Sequence, residues 1–111
     1  MKNNNAINVF LALGQETRLN IFRLIVRFGD TGLTPTEIIE RLGIPNATLS
    51  FHLKELTNAK LLKVERQSRN LIYQPNFETV NELSDFLLEN CCSGKSCEVK
   101  VKRKSNVRPA L

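Results

Sequence analysis

Between Thr34 and Gln74 the spacing of the apolar residues switches from a helical to a strand-like period, and that switch restricts the chain to very few folds. Thr34-Pro35-Thr36-Glu37 reads as a helix start. Thr34 caps, Pro35 suits the first helical position, and Glu37 completes a capping box. Ile38, Ile39 and Leu42 then face inward and Gly43 ends the helix. After Ile44-Pro45, Leu49, Leu53 and Leu56 recur at i, i+4 and i+7, with the polar residues Asn46, Thr48, Ser50 and Lys54 between them. Two short helices joined by a tight glycine turn make a helix-turn-helix. Leu62-Lys63-Val64-Glu65-Arg66 alternates as a strand does, and Leu71-Ile72-Tyr73-Gln74 can pair with it across Gln67–Asn70. A hairpin placed directly after such a helix is a wing.

The flanks supply helices. Ala6–Leu13 carries Ile7, Phe10 and Leu11 on one side, and residues 1–5 are expected to be disordered. Glu16–Phe28 carries two apolar rows, Leu19, Phe22 and Val26 beside Ile21, Ile25 and Phe28, so it is expected to be the central core helix. Gly29-Asp30-Thr31-Gly32 is a turn. A last helix is expected from Phe77 to about Asn90, with Val80, Leu83 and Leu87 on one stripe and Phe86 and Leu88 widening it. The class is mainly α: a winged helix-turn-helix with a two-stranded β-wing. The length of 111 residues suits one domain, here residues 6–90. A domain this small leaves part of its apolar helix surface uncovered, and such patches mark partners. Pairing Ile7, Phe10, Leu11, Val80, Leu83 and Leu87 across a two-fold axis is the expected homodimer. It would set two recognition helices about 34 Å apart on palindromic double-stranded DNA.

All three cysteines follow the last helix, as Cys91-Cys92-Ser93-Gly94-Lys95-Ser96-Cys97. Neighbouring Cα atoms lie about 3.8 Å apart across a trans peptide, below the roughly 4.4 Å at which ordinary disulfides begin. A vicinal pair is therefore a poor staple. Three incidental thiols are the plain alternative, but clustering of every cysteine in segment 91–97 favours a metal site. Structural zinc takes four ligands, and the only histidine is His52. Three thiols suit a soft ion better, and its binding must displace protons, so affinity should rise with pH.

Charge adds a local signal. The net +5 comes from residues 91–111, where six basic residues face Glu98 alone; residues 1–90 hold ten of each sign. Segment 98–111 reads as a basic disordered tail, so overall basicity says little about nucleic acid. Segment 46–70 is more telling, with Lys54, Lys60, Lys63, Arg66 and Arg69 against Glu55 and Glu65. No apolar run approaches the roughly 20 residues of a membrane span and no signal peptide is apparent, so a cytoplasmic protein without a membrane partner is expected.

Leu11-Ala12-Leu13-Gly14-Gln15-Glu16-Thr17-Arg18-Leu19-Asn20-Ile21 resembles the opening of the ArsR family of metal-responsive repressors. Thr48-Leu49-Ser50-Phe51-His52-Leu53-Lys54-Glu55-Leu56 is similar to that family's recognition helix. Phe86-Leu87-Leu88-Glu89-Asn90-Cys91-Cys92 with Cys97 resembles its arsenite-responsive branch. The resemblance spans about residues 6–97. It implies a dimeric repressor that leaves its operator when arsenite, or antimonite, loads Cys91, Cys92 and Cys97, with no organic cofactor. Asn46, Thr48 and Ser50 are then expected at base edges. Lys54, Arg66 and Arg69 are candidates for backbone or groove, each otherwise a solvated charge. His52 is balanced between a phosphate contact and a structural role.

Four departures stand out. Thr34 and Thr36 occupy the place of a Cys-x-Cys pair found in many members, and the lone histidine rules out the His-rich zinc site of others. Lys60 and Ser68 stand where glycine is usual, and Lys60 is expected to end its helix differently, since a left-handed lysine costs about 1 kcal/mol relative to glycine. Rival readings are a cadmium/zinc or thiol-redox sensor on the same scaffold, a metal chaperone, or a small thiol enzyme. The last is disfavoured because the chain has no Cys-x-x-Cys motif.

Overall fold

The computed structural model describes residues 1–94. In chain order these form α1 (Asn3–Leu13), α2 (Glu16–Phe28), a 3-10 turn (Gly29–Thr31), α3 (Pro35–Leu42), α4 (Asn46–Asn58), β1 (Leu62–Gln67), β2 (Asn70–Pro75), α5 (Phe77–Leu87) and a second 3-10 turn (Cys91–Gly94). This is the expected winged helix-turn-helix, mainly helical with one antiparallel hairpin. Among the described residues no helix is long and apolar enough to cross a membrane.

The core is built from Ile21 and Ile25 of α2, Ile38 of α3 and Leu49, Leu53 and Leu56 of α4, with Leu61 and Leu62 closing it below the wing. Leu19 does not join them. It is 38% exposed, because the buried arc of α2 centres on Ile21 and Ile25 and position 19 lies just over half a turn from Ile21.

α1 begins at Asn3, three residues before the expected start, with Ala6 N–H donating to the Lys2 carbonyl at 3.0 Å. Residues 3–5 are therefore helical rather than disordered. Asparagine is a weak helix former, but the added turn lets Ala6 bury in line with Val9 and Ala12. That stripe of small residues is the face α1 turns to the core. Ile7, Phe10 and Leu11 point to solvent.

The capping box of α3 is fully formed. Glu37 N–H donates to Thr34 Oγ1 at 3.2 Å and Thr34 N–H to Glu37 Oε1 at 2.9 Å. Gly43, at φ 67°, ends the helix in the left-handed conformation.

The end of α4 departs from expectation. Lys60 adopts the left-handed conformation, φ 65°, that glycine would supply. Its N–H donates to the Thr57 carbonyl (2.9 Å) and Leu61 N–H reaches back to Leu56 (3.0 Å), a Schellman-type close. The strain is held in place from both sides: Leu61 is fully buried, and Thr79 Oγ1 donates to the Lys60 carbonyl at 2.6 Å.

The hairpin runs in register from Leu62↔Pro75 to Gln67↔Asn70. Ser68 takes a positive φ of 58° and Arg69 does not, the pattern of a II′ hairpin turn. Leu33 adds one rung beside β2, exchanging hydrogen bonds with Tyr73 at 3.0 and 2.8 Å. Gly32 makes this approach possible, since a Cβ there would lie 2.6 Å from Ile72 Cγ2 and 2.7 Å from the Tyr73 carbonyl oxygen.

α5 stops at Leu87, short of the expected Asn90, and the chain turns through Asn90 and Cys92, both at positive φ. Asparagine tolerates that conformation better than most residues. Only Thr79 of α5 is buried, with Leu83 packed in part against the core.

Candidate nucleic-acid interface and cysteine turn

Helical geometry sorts the residues of α4. Leu49, His52, Leu53 and Leu56 take the inner face, leaving Asn46, Ala47, Thr48, Ser50, Phe51 and Lys54 exposed on the other. Between α4 and the hairpin runs an open groove lined by Asn46, Ser50 and Lys54 on one wall and Val64, Leu71 and Tyr73 on the other. Arg66 and Arg69 are solvent-exposed on the wing. Arg69 lines a cleft with Thr34, Thr36 and Glu37 at the start of α3. Six of the seven expected DNA contacts thus face solvent on one helix and its wing.

His52 is the exception. It is 8% exposed, and its Nδ1 lies 3.1 Å from Arg18 Nη1. A guanidinium only donates, so Nδ1 accepts and the neutral ring carries its proton on Nε2. Burial, and secondarily the adjacent Arg18 charge, lower the imidazole pKa from its ordinary 6.5, against a smaller opposing effect of Glu55. His52 is therefore held on the inner face, apart from the exposed row of α4, with Nδ1 engaged by Arg18.

Arg18 was legible only as part of a motif; its geometry is more informative. Its Nε donates to the Ala12 carbonyl at 2.7 Å, its backbone N–H is capped by Gln15 Oε1 at 2.8 Å, and its Nη1 meets His52. One side chain thereby ties the end of α1 to α4. Phe51 also escaped the sequence reading. It stands just over half a turn from Leu49 at 3.6 residues per turn, and that offset alone could have placed it outside.

The α1 and α5 candidates divide unevenly. Ile7, Phe10, Leu11, Val80 and Leu87 are exposed, whereas Leu83 is partly engaged with the core. Phe77 and Leu88 enlarge the exposed apolar surface of the segment.

Cys91 and Cys92 lie on the turn after α5, anchored by Cys91 N–H donating to the Leu88 carbonyl at 3.0 Å. Their Sγ atoms are 3.4 Å apart, Cys91 half-buried and Cys92 exposed. Cys91 is a free thiol whereas Cys92 is disulfide-bonded, so the two can serve as a pair of thiolate ligands only after that disulfide is reduced. Cys97 lies outside the described residues, and among those residues no three His, Cys, Asp or Glu side chains cluster as a metal site.

Comparison with known proteins agrees with the fold. A helix-turn-helix domain family matches residues 13–65. A curated relative from Bacillus subtilis, an uncharacterized HTH-type transcriptional regulator, is 29% identical over 73% of this chain and 93% of its own. An ArsR-like transcriptional regulator from Rhodococcus sp. RHA1 superposes with a TM-score of 0.69 at 23% identity, covering 76% of each chain. AntR, an antimony-specific transcriptional repressor, gives a TM-score of 0.57 at 24% identity over 73% of this chain and 72% of its own. All three are described as transcriptional regulators.

Proposed function

We propose that this chain, a helix-turn-helix transcriptional regulator of ArsR-like fold, is a homodimeric repressor whose hold on a palindromic operator is released by a thiophilic ion at Cys91, Cys92 and Cys97. The observation that carries the reading is the placement of paired sulfurs, 3.4 Å apart, on the turn that ends α5. α5 is exposed along Phe77, Val80 and Leu87 and buries only Thr79. A helix so lightly covered needs a partner, and a second copy can cover it together with the Ile7, Phe10 and Leu11 face of α1.

Asn46, Thr48 and Ser50 then approach base edges in the major groove, while Lys54, Arg66 and Arg69 meet the backbone or adjoining groove. With the Cys92 disulfide reduced, Cys91 and Cys92 contribute two thiolates and Cys97 the third. Drawing Cys97 onto the pair tightens the segment after α5, and a shift of α5 changes the spacing of two α4 helices. Arsenite is the favoured ion on ligand count, and the antimony-specific neighbour of the same fold supports a metalloid.

Operator binding followed by fluorescence anisotropy tests this. Arsenite should weaken binding by the roughly 5- to 150-fold typical of allosteric coupling, and Cys91→Ser, Cys92→Ser and Cys97→Ser should each blunt the response. Release by zinc, cadmium or an oxidant instead of arsenite would make the chain a different sensor on the same scaffold. Undiminished release from all three serine variants would remove the cysteines from the mechanism.

A further inference from the structure

Phe51 presents 56% of its surface to solvent at the centre of the outer face of α4, between Asn46, Ser50 and Lys54 on one side and Thr48 on the other. Water is a poor environment for a phenyl ring, and more than half of this one is left uncovered. The ring is also held. Its centroid is 5.3 Å from that of His52, with the planes at 61°, and the Arg18 guanidinium carbon lies 6.0 Å from it. His52 and Arg18 are themselves hydrogen-bonded to each other, so Phe51 stands against a fixed support. One turn earlier, Ala47 is exposed and small, leaving room beside the ring.

We propose that Phe51 is a specificity-determining residue that recognises the 5-methyl group of thymine in the operator. The inference rests on the DNA-binding reading above and adds the base to it. A phenyl ring neither donates nor accepts a conventional hydrogen bond, and the thymine methyl is the apolar group that base pairs offer in the major groove. A cytosine in the same place carries only hydrogen at C5, so it forfeits the methyl contact as uracil does.

The test starts from duplexes selected by the full chain from a random library. Each thymine of the selected sequence is replaced in turn by uracil, which removes the methyl and leaves the hydrogen-bonding pattern intact. Anisotropy should show at least one position per half-site where uracil weakens binding about fourfold, the equivalent of one buried methyl-sized group. That penalty should vanish in Phe51→Ala, whose fold is checked by circular dichroism. Tolerance of uracil at every thymine, or a penalty that persists unchanged in Phe51→Ala, would overturn the assignment while leaving DNA binding intact. A selection that recovers no preferred duplex would overturn the DNA-binding reading itself, and this inference with it.

Discussion

Arg18 distributes its donors between the end of α1 and the inner face of α4, and His52 can accept only while it is neutral. The sign of the pH effect follows. The folded protein lowers the His52 pKa below the ordinary 6.5, so the unfolded chain binds a proton first as pH falls. The stability from this pair is complete above about pH 6.5 and declines as pH drops from there through the folded value. Urea unfolding between pH 8 and pH 5 should show that decline, and His52→Asn, which can offer an oxygen near the Nδ1 position, should remove this component. Arg18→Ala leaves Nδ1 without its donor and should cost about 1–3 kcal/mol. An identical pH profile in wild type and His52→Asn would contradict the arrangement. The sequence could not separate this role from a phosphate contact, because a histidine three residues after Leu49 lies close to the boundary between the inner and outer faces. Its hydrogen-bond partner, Arg18, is 34 residues away.

At the scale of elements, local chemistry was most readable where it is self-contained. The α3 capping box needs only Thr34 and Glu37, and the structure contains both of its bonds. The span of α2 and the pairing of the hairpin likewise follow from apolar period, the strands extending one residue further at the turn than expected. The end of α4 could not be read so, because Lys60 is kept left-handed by Leu61 and Thr79, residues belonging to the core and to another helix. That conformation makes a prediction. Lys60→Gly keeps the carbonyl that Thr79 uses and removes the Cβ strain, so it should stabilise by about 1 kcal/mol, raising the melting temperature by roughly 4–8 °C. A lower melting temperature would mean that the lysine side chain contributes more than its backbone costs. Gly32 is the opposite case, where both a positive φ of 70° and backbone contact forbid a side chain at the root of the wing.

For the molecule as a whole, the apolar surface left on α1 and α5 is the strongest indication of assembly. Composition alone could not separate core from interface among these residues. The difference lies in Ala6, Val9 and Ala12, whose small side chains take the inner face of α1 and leave the large ones outside. Phe10→Glu and Leu87→Glu change groups that are 49% and 56% exposed in a single chain, so the fold should persist by circular dichroism. Sedimentation equilibrium should show wild-type dimers and variant monomers, with operator affinity reduced in the variants. Monomeric wild type that still bound a palindromic site tightly would remove the dimer from the account.

In the proposed function DNA and ion bias one equilibrium between two states of a dimer, and linkage tests this most directly. The affinity for arsenite should be measured with the protein free and with the protein saturated by operator. If arsenite weakens operator binding by some factor, operator must weaken arsenite binding by the same factor, within the range of roughly 5- to 150-fold. Equal arsenite affinity for the free and DNA-bound protein would contradict the account.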